Sequence, residues 1–377
     1  MRKFIFLFFF IACICLPFLS LATLEARVSK ILGANIDATP PTTPPAPSSV
    51  TYTTPAVSEF GTGSLAGFRT SDNRFYTSPT GTAWTIMPTN PTPASTITGV
   101  QIIGSRVVAS HTGTGTCILH YTDDGGTNWT TQSLTGTTTC PTLNTSALRC
   151  ISITCVLATG AAGGMRLYTS TNSGTSWSQT GSFAITTDLN TIAAIKYFDG
   201  TTAIGTGQGQ AIFPAIPNQG VVSTNAGASW ALFKIPSCAV GNTNLNIATV
   251  TKLGSTFYAY GHCVNQTPTT YRVWTSATGT GTWSLGTVSF SPAILSQGVG
   301  EVAVALNLVN PPTIYFMGRR LSDFRNEIWT STDGLNFTAL SLNPSLSTVL
   351  AAVAGFPSLD GSKAYFTNSN NEIAIIQ

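Results

Sequence analysis

Charged residues are scarce in this sequence, and the scarcity excludes one large class of partners. Asp, Glu, Lys and Arg together make up 8% of the 377 residues. Binding to nucleic acid requires clustered Lys and Arg that replace the counterions around phosphates, so we expect no nucleic-acid partner. Hydrophobic residues make up 42% of the chain, which is enough to build a core and argues against disorder.

The sequence also lacks the motifs of common metal and nucleotide sites. It has three His and no Cys-x-x-Cys pair, which argues against a zinc centre. The motifs Gly-x-Ser-x-Gly and His-Glu-x-x-His and the phosphate-binding loop are absent, and Gly-Gln-Gly at 207–209 precedes no helical pattern. We therefore expect neither a metal nor a cofactor.

Long apolar runs occur only at the N-terminus. A basic pair at residues 2–3 precedes an apolar run over residues 4–19, and the small-x-small pattern of a signal-peptidase site ends at Ala22. We predict that residues 1–22 are a signal peptide and that the protein is exported, to the periplasm, the cell surface or the medium. The run is short for a membrane span and no second one follows, so we expect no transmembrane span in the mature chain. A weaker alternative is a lipoprotein signal that would leave Cys13 lipidated.

The segment after the signal peptide differs in composition from the rest of the chain. Cleavage after Ala22 would lower the formal net charge from +3 to +1 by removing two basic residues. Residues 23–47 are rich in Pro and Thr, a composition that favours an extended, solvated linker. Residues 48–377 are expected to form a single domain.

One spaced motif recurs six times and defines the organisation of this domain. Each copy opens with Ser or Thr and closes seven residues later on Trp or Phe, and successive copies start 45 to 54 residues apart. The six copies, called box turns below, are TSPTGTAW (77–84), TDDGGTNW (122–129), STNSGTSW (170–177), STNAGASW (223–230), SATGTGTW (276–283) and TSTDGLNF (330–337). Between them, apolar and polar residues alternate in four short runs, which is typical of the strands of a β-propeller blade.

The residue types in the box turns suit a tight turn. The opening hydroxyl and an Asp or Asn at the third position can bind backbone N–H groups. Gly at the fifth position permits a positive φ, and the closing aromatic residue can pack between neighbouring blades. The residues that fit this description best are Asp124, Gly126 and Trp129 in the second copy, Asn172, Gly174 and Trp177 in the third, and Asn225, Gly227 and Trp230 in the fourth.

The box turns resemble the Asp-box, or BNR, repeat of sialidase-like propellers, whose outline is Ser/Thr-x-Asp-x-Gly-x-x-Trp. By this outline only Asp124 keeps the Asp, whereas Pro79, Thr278 and Thr332 depart from it. The resemblance implies an all-β propeller of four-stranded antiparallel blades, in which each box turn joins the third and fourth strands of a blade and has a structural role.

Three strand-like runs follow the sixth box turn and have no box of their own. A propeller must close its ring, and the run from Ser48 to Thr54 is well placed to supply the missing fourth strand. We predict seven blades with this closure, and six blades is the alternative.

Topology assigns the loops to two faces. In a meander that starts at the propeller axis, the loops between strands 2 and 3 and between blades share one face, and the box turns lie on the other. Propellers commonly bind ligands on the former face, by analogy within the fold. His111, Asp188 and Glu301 fall near its edges. Either the arginines of blade six form a patch for an anionic or carboxylate partner, or Asp323 and Glu327 neutralise them. The candidate binding residues on this face are Arg69, Arg149, Arg319, Arg320, Arg325 and His262.

Six cysteines remain after cleavage, and an even number indicates disulfides in an exported chain. Assigning the loops to faces in this way predicts the pairs Cys117–Cys140, Cys150–Cys155 and Cys238–Cys263.

The resemblance supplies one enzymatic hypothesis. It implies an arginine triad, a Tyr activated by Glu, and an Asp acid/base, as in sialidases. Their Phe-Arg-Ile-Pro motif is absent, since residues 68–71 match only its first two positions, and Glu301 and Tyr365 are not coupled by any motif.

We therefore expect a non-catalytic, monomeric binding or assembly scaffold for a protein or glycan partner. In this respect the chain is similar to exported propellers related to photosystem II assembly factors. A sialidase-like glycosidase acting on sialosides is the alternative.

Overall fold

The computed structural model describes most of the domain. The described residues are 48–51, 56–60, 64–69, 74–78, 84–91, 97–112, 117–134, 148–161, 164–184, 192–207, 219–236, 245–263, 271–295, 301–340, 352–357, 362–368 and 372–376. All of them lie in the second of two compact units, Pro41–Gln377. The predicted signal peptide, the linker, Cys13 and the boundaries at residues 22 and 47 fall outside these ranges and stay predictions. The described part contains no helix that is long and apolar enough to cross a membrane.

The described residues form seven sheets, and we call them blades 1 to 7 in chain order. The first strand is β1 (Ser48–Thr51). Blade 1 contains β2 (Ala56–Phe60), β3 (Ser64–Arg69), β4 (Arg74–Ser78) and β5 (Thr85–Ile86). Blade 2 contains β6 (Ile97–Ile103), β7 (Arg106–Thr112), β8 (Cys117–Thr122) and β9 (Thr130–Ser133). Blade 3 contains β10 (Leu148–Ile151), β11 (Thr154–Ala161), β12 (Gly164–Ser170) and β13 (Ser178–Ala184).

Blades 4 and 5 repeat this order, blade 6 has one additional edge strand, and blade 7 takes its fourth strand from the start of the domain. Blade 4 contains β14 (Ile192–Phe198), β15 (Ala203–Gly207), β16 (Gln219–Ser223) and β17 (Ala231–Lys234). Blade 5 contains β18 (Leu245–Leu253), β19 (Thr256–Cys263), β20 (Tyr271–Ser276) and β21 (Ser284–Thr287). Blade 6 contains β22 (Ser289–Ser291), β23 (Val302–Leu306), β24 (Thr313–Arg319), β25 (Asn326–Ser331) and β26 (Asn336–Ala339). Blade 7 contains β27 (Ala352–Pro357), β28 (Ala364–Asn368) and β29 (Glu372–Ile376), and β1 completes it.

The strand that completes blade 7 comes from the start of the domain. Strand β1 pairs antiparallel with β29, with Val50 opposite Ile373. This is the closure that the sequence predicted. It pairs the edge of the last sheet, which would otherwise leave unpaired backbone groups.

The blades stack face to face in a closed ring. The innermost strands contact one another in the order β2, β6, β10, β14, β18, β23, β27 and again β2. A hydrophobic cluster lies between each pair of consecutive blades, and the cluster of Leu65, Tyr365 and Ile375 joins blade 7 to blade 1. The predicted all-β propeller built from four-stranded antiparallel sheets is thus confirmed, and blade 6 differs in having a fifth strand, β22, that pairs parallel with β26. The described part of the ring contains seven sheets.

Burial along the strands follows from this stacking. The third strands β8, β20 and β25 share one burial pattern, in which both sheet faces are covered by neighbouring blades. The fourth strands β17 and β21 are mostly exposed because they form the rim. The central strands therefore tolerate few charges, and a charged residue on an inner strand needs a specific explanation.

Every box turn joins the third and fourth strands of its blade. In the second copy, Asp124 accepts hydrogen bonds from the backbone N–H of Asn128 at 2.9 Å and from Thr122 Oγ1 at 2.9 Å. The backbone and side-chain donors of Asn128 and the Thr122 hydroxyl hold the pKa of Asp124 at about 2, well below its usual range. The Asp124 carboxylate thus organises the turn that encloses it.

The same turn also contacts the preceding blade. Thr89, which follows the last strand of blade 1, donates its backbone N–H to the carbonyl oxygen of Gly126 at 3.0 Å. Trp129 donates to the Thr89 carbonyl oxygen at 3.2 Å and packs on Phe75, with ring centroids 4.8 Å apart. The contact recurs around the ring, where Gly174, Gly227, Gly279 and Gly334 lie against Val108, Val156, Ile204 and Tyr258 of the preceding blades.

The last two box turns correct the alignment made from the sequence. In the sixth copy Ser331 binds Asp333 at 2.7 Å, and Asp333 accepts the backbone N–H of Asn336 at 2.8 Å. Asp333 therefore has the role of Asp124, and Thr332 is not the equivalent position. In the fifth copy Ser276 accepts the N–H of Gly279, so Gly stands one position earlier than in the preceding copies.

The predicted disulfides are partly visible. Cys150 and Cys155 lie opposite each other on β10 and β11 and are joined by a disulfide. Cys117 is also disulfide-bonded. Cys140 and Cys238 lie outside the described residues, so the pairs Cys117–Cys140 and Cys238–Cys263 stay predictions.

Candidate functional site

A lysine on the inner strand of blade 4 is set apart by a β-bulge. In the pairing of β14 with β15, Ile195 lies opposite Gly205 and Tyr197 opposite Ile204, which leaves Lys196 without a partner. Ile195 packs in the cluster shared with blade 3, and Tyr197 packs against the cluster shared with blade 5. A bulge redirects the side chain of its extra residue. Lys196 therefore lies on the strand nearest the propeller axis, between residues that pack into the two interfaces, and it is partly exposed.

Arg149 lies beside this bulge on the inner strand of blade 3. Its Nε donates to the carbonyl oxygen of Ile195 at 3.3 Å, which ties the guanidinium to the residue before Lys196. The charge on Arg149 contributes to lowering the pKa of Lys196. Two positive side chains from neighbouring blades thus face the same space.

Glu301 supplies the carboxylate of this site. It is buried directly before the inner strand of blade 6, and its charge partly counters the fall in the pKa of Lys196. Blade 5 separates blades 4 and 6 in the ring, so this electrostatic interaction joins residues of two blades that are not neighbours. Arg149, Lys196 and Glu301 are called the channel cluster below.

Burial disfavours the charged forms of the two cations in the channel cluster. Burial lowers the pKa of Lys196 to about 8, with Arg149 adding to the effect, and burial lowers the pKa of Arg149 to about 10. Both residues nevertheless keep partial solvent exposure. Two cations and one carboxylate leave the cluster with a net positive charge, which favours an anionic ligand.

Tyr271 interacts electrostatically with Glu301, and the glycosidase hypothesis requires a Tyr and a Glu that act together. Its ring packs edge-on against Phe290 and Phe316, with centroids 5.6 and 5.7 Å away. Burial, followed by the charge of Glu301, raises the pKa of Tyr271 well above its ordinary value. A tyrosine nucleophile needs the opposite shift. Tyr365, the tyrosine considered from the sequence, packs between blades 7 and 1.

The arginines of blade 6 are engaged within their own loop. Arg320 binds Asp323 at 2.5 Å and Glu327 at 3.3 Å, and Arg325 lies 3.4 Å from Asp323. The Arg319 guanidinium lies 6.0 Å from the centre of the Phe324 ring. The contacts described for these arginines stay within blade 6, whereas those of Arg149 lead to the channel cluster.

The other candidates from the sequence are dispersed. Arg69 ends β3 and pairs with Arg74, and its side chain is outside the described part. His262 is buried opposite Tyr271, and burial lowers its pKa. Asp188 lies outside the described residues.

His111 forms a pair that the sequence did not indicate. It packs against His120 with ring centroids 4.7 Å apart, and both side chains are fully buried. Burial lowers the pKa of both, that of His120 to about 4 with His111 contributing. No group of three or more potential metal ligands occurs among the residues that the structure describes.

Sequence reasoning missed Lys196 and Tyr271. A signal for Lys196 existed, because it is the one charge in the apolar strand IAAIKYF. Nothing in the sequence marks Tyr271, whose position beside Glu301 depends on how blades 5 and 6 stack.

The fold has counterparts among known structures. No family model and no curated protein matches the sequence. A GH74 xyloglucanase from Xanthomonas campestris is similar with a TM-score of 0.56 and 15% identity, over 87% of this chain and 53% of that one. A structure described as YCF48 bound to D1 peptide has a TM-score of 0.55 and 10% identity, over 89% and 99% of the two chains. A streptogramin B lyase has a TM-score of 0.56 and 11% identity, over 88% and 97%.

These matches are all β-propellers, as the sequence predicted. This chain spans about half of the length of the xyloglucanase. At such identities the matches show the fold and do not assign an activity.

Proposed function

We propose that this propeller is an exported, non-catalytic binding scaffold that holds a carboxylate-rich segment of a protein or glycan partner at the channel cluster. The observation that carries the proposal is the proximity of two cations, Arg149 and Lys196, whose charges are only partly balanced by the nearby carboxylate of Glu301. An anion at this position would relieve the repulsion between the cations and restore partners lost on burial.

The chemistry of the two cations suits a carboxylate. A guanidinium forms directional, charge-assisted hydrogen bonds with carboxylates, and an ammonium adds a compact charge with three donors. The site lies where the inner strands meet, which is a common position for propeller ligands by analogy within the fold. A propeller of similar fold, YCF48, has been seen bound to a peptide, the D1 peptide.

The raised pKa of Tyr271 supports binding over catalysis, since a protonated, buried phenol is a poor nucleophile. The sialidase-like alternative stays a prediction, and hydrolysis of a fluorogenic sialoside tests it. Turnover that is lost in Arg149→Met would favour the enzyme and contradict the scaffold.

Two further features are part of the proposal. The Cys150–Cys155 disulfide supports an oxidising compartment outside the cytoplasm. We expect the scaffold to be a monomer, which sedimentation equilibrium checks.

The binding test uses two carboxylate polymers of different chemistry, hexaglutamate and hexagalacturonate. Titration calorimetry at pH 7 and low salt should show binding of at least one of them, and Lys196→Met should weaken it at least tenfold, the equivalent of about 1.4 kcal/mol. The matched control is Lys252→Met, because Lys252 also lies on an inner strand but is paired with Asp199 at 3.6 Å. Equal losses in the two variants, or no binding of either polymer, would contradict the proposal.

A further inference from the structure

The loop between β24 and β25 of blade 6 exposes two large apolar side chains. Leu321 is 51% exposed and Phe324 is 50% exposed. They flank Asp323 at the end of the blade where strands 2 and 3 are joined, which is the face opposite the box turns. Isolated exposed apolar residues are common, so their exposure alone carries no argument.

The backbone conformation of Phe324 is what distinguishes this loop. Its φ is +60°, in the left-handed region. Among the described residues, the other non-glycine residues with positive φ are Ser152, Ser173 and Ala226, which are all small. A bulky residue in this region is a genuine outlier, and such strain persists only where the surrounding structure imposes it.

Hydrogen bonds hold the strained conformation in place. Phe324 donates its N–H to the Arg320 carbonyl oxygen at 3.0 Å, and Arg320 donates to the Arg325 carbonyl oxygen at 2.8 Å. Leu321 donates to the Ala293 carbonyl oxygen at 2.8 Å, which ties the tip to the chain entering blade 6. The two exposed side chains are therefore presented on a rigid support, an arrangement that lowers the entropic cost of binding.

The charges around the tip indicate the chemistry of a partner. Arg319, Arg320 and Arg325 face two carboxylates, Asp323 and Glu327, which leaves one positive charge in excess beside the apolar pair. Aromatic residues next to arginines are typical of the residues that dominate protein–protein binding energy. An anionic polysaccharide has no apolar side chains to place against Leu321 and Phe324, whereas an acidic polypeptide can have both.

We propose that the loop Leu321–Arg325 is a second contact point for the partner and that this partner is a polypeptide in which acidic residues alternate with apolar ones. The inference rests on the proposed function, since the acidic residues are those that the channel cluster holds. The apolar residues of the same segment pack on Leu321 and Phe324.

The test compares two peptides, hexaglutamate and a hexapeptide of three Glu alternating with two Leu and one Phe. The wild type should bind the mixed peptide at least tenfold more tightly, because burial of a Leu or Phe side chain exceeds the energy of a tenfold change. Phe324→Asn should remove this advantage and leave hexaglutamate binding unchanged. Leu321→Ser, as a second variant, should reduce it.

Leu308→Ser is the matched control, because Leu308 is 77% exposed in the turn between β23 and β24 on the opposite face. It should leave both affinities unchanged. If the wild type binds the two peptides equally, or if Phe324→Asn keeps the advantage, the inference is wrong while the channel proposal stands. If neither peptide binds, both are wrong.

Thermal unfolding gives an independent measurement. Asn adopts the left-handed region with less strain than Phe, so Phe324→Asn should keep or raise the melting temperature while losing the apolar contact. A lower melting temperature would show that Phe324 is a packing residue and would overturn the inference.

Discussion

Arg149 and Lys196 are like charges on neighbouring inner strands, and a hydrogen bond of 3.3 Å from Arg149 to the carbonyl oxygen of Ile195 holds them near each other. Proteins rarely keep two buried cations together for stability, because removing charges from water is unfavourable. Their retention at the centre of a closed ring is the reason for assigning binding to this place.

The first prediction concerns alkaline pH. The pKa of Lys196 is about 8 in the folded protein and 10.5 in the unfolded chain, so the unfolded state binds more protons between these values. The free energy of unfolding should therefore gain a positive contribution as pH rises from about 8 to about 10.5, while below pH 8 the full cost of the buried charge is present. Over the same window the loss of the Lys196 charge should weaken hexaglutamate binding.

Urea unfolding and calorimetric titration at pH 7 and 9.5 check this prediction. Lys196→Met has no titrating group here, so its stability should lack this contribution and exceed that of the wild type at pH 7 by about 1–2 kcal/mol after allowance for partial exposure. A Lys196→Met variant with the same alkaline profile as the wild type would contradict the assignment.

The second prediction concerns acid pH and the pair His111 and His120. Burial lowers both pKa values, that of His120 to about 4, whereas an unfolded His titrates near 6.5. The unfolded state thus binds more protons as pH falls, and stability should decrease from about pH 6.5 to about pH 4, by the order of 2–3 kcal/mol for His120.

His120→Asn is the variant for this test, since the Asn amide places a polar atom at the position of Nδ1, which bonds to Thr131, and does not titrate. Its stability should fall less between pH 7 and 4.5 than that of the wild type. An unchanged slope would place the acid sensitivity in other groups.

The third prediction tests how much the contact between a box turn and the preceding blade contributes to stability. Gly125 and Gly126 both have positive φ, at +68° and +89°. A Cβ at Gly126 would lie 2.7 Å from Met87 Cβ, whereas one at Gly125 would meet nothing within 4 Å. Gly126→Ala should therefore be less stable than Gly125→Ala by about 1–3 kcal/mol, the usual cost of overpacking. Chemical denaturation of the two variants measures the difference in the free energy of unfolding. Equal stabilities would show that the close contact of the turn with the preceding blade does not stabilise the fold.

The repeat made the fold predictable from the sequence. The exact alignment of each copy was not predictable, because it depends on local hydrogen bonds. The spacing of the motif predicted that an aromatic residue such as Trp129 recurs once per blade. In the structure the Trp129 side chain packs between blades 1 and 2. The shift in the last box turns was not predictable, because either Thr330 or Ser331 could open the sixth copy. The structure shows that Ser331 does, and that Asp333 follows it.

The candidate site was also less predictable than the fold, because local contacts decide which charged residues remain available. Arginines that are neighbours in sequence, such as Arg319 and Arg320, suggested a patch, but Asp323 and Glu327 engage Arg320 locally. Arg149 lies near Lys196 because its Nε donates to the carbonyl oxygen of Ile195, at the register shift in β14. A bulge depends on the register with the next strand, which a single sequence does not specify.

The most direct test of the central claim is to compare the effects of Glu301→Gln and Lys196→Met on hexaglutamate affinity. If the net charge of the channel cluster sets binding, Glu301→Gln should strengthen binding several-fold, and Lys196→Met should weaken it at least tenfold. Changes of the same sign in the two variants, or no change in either, would contradict the claim that the channel cluster holds a carboxylate partner.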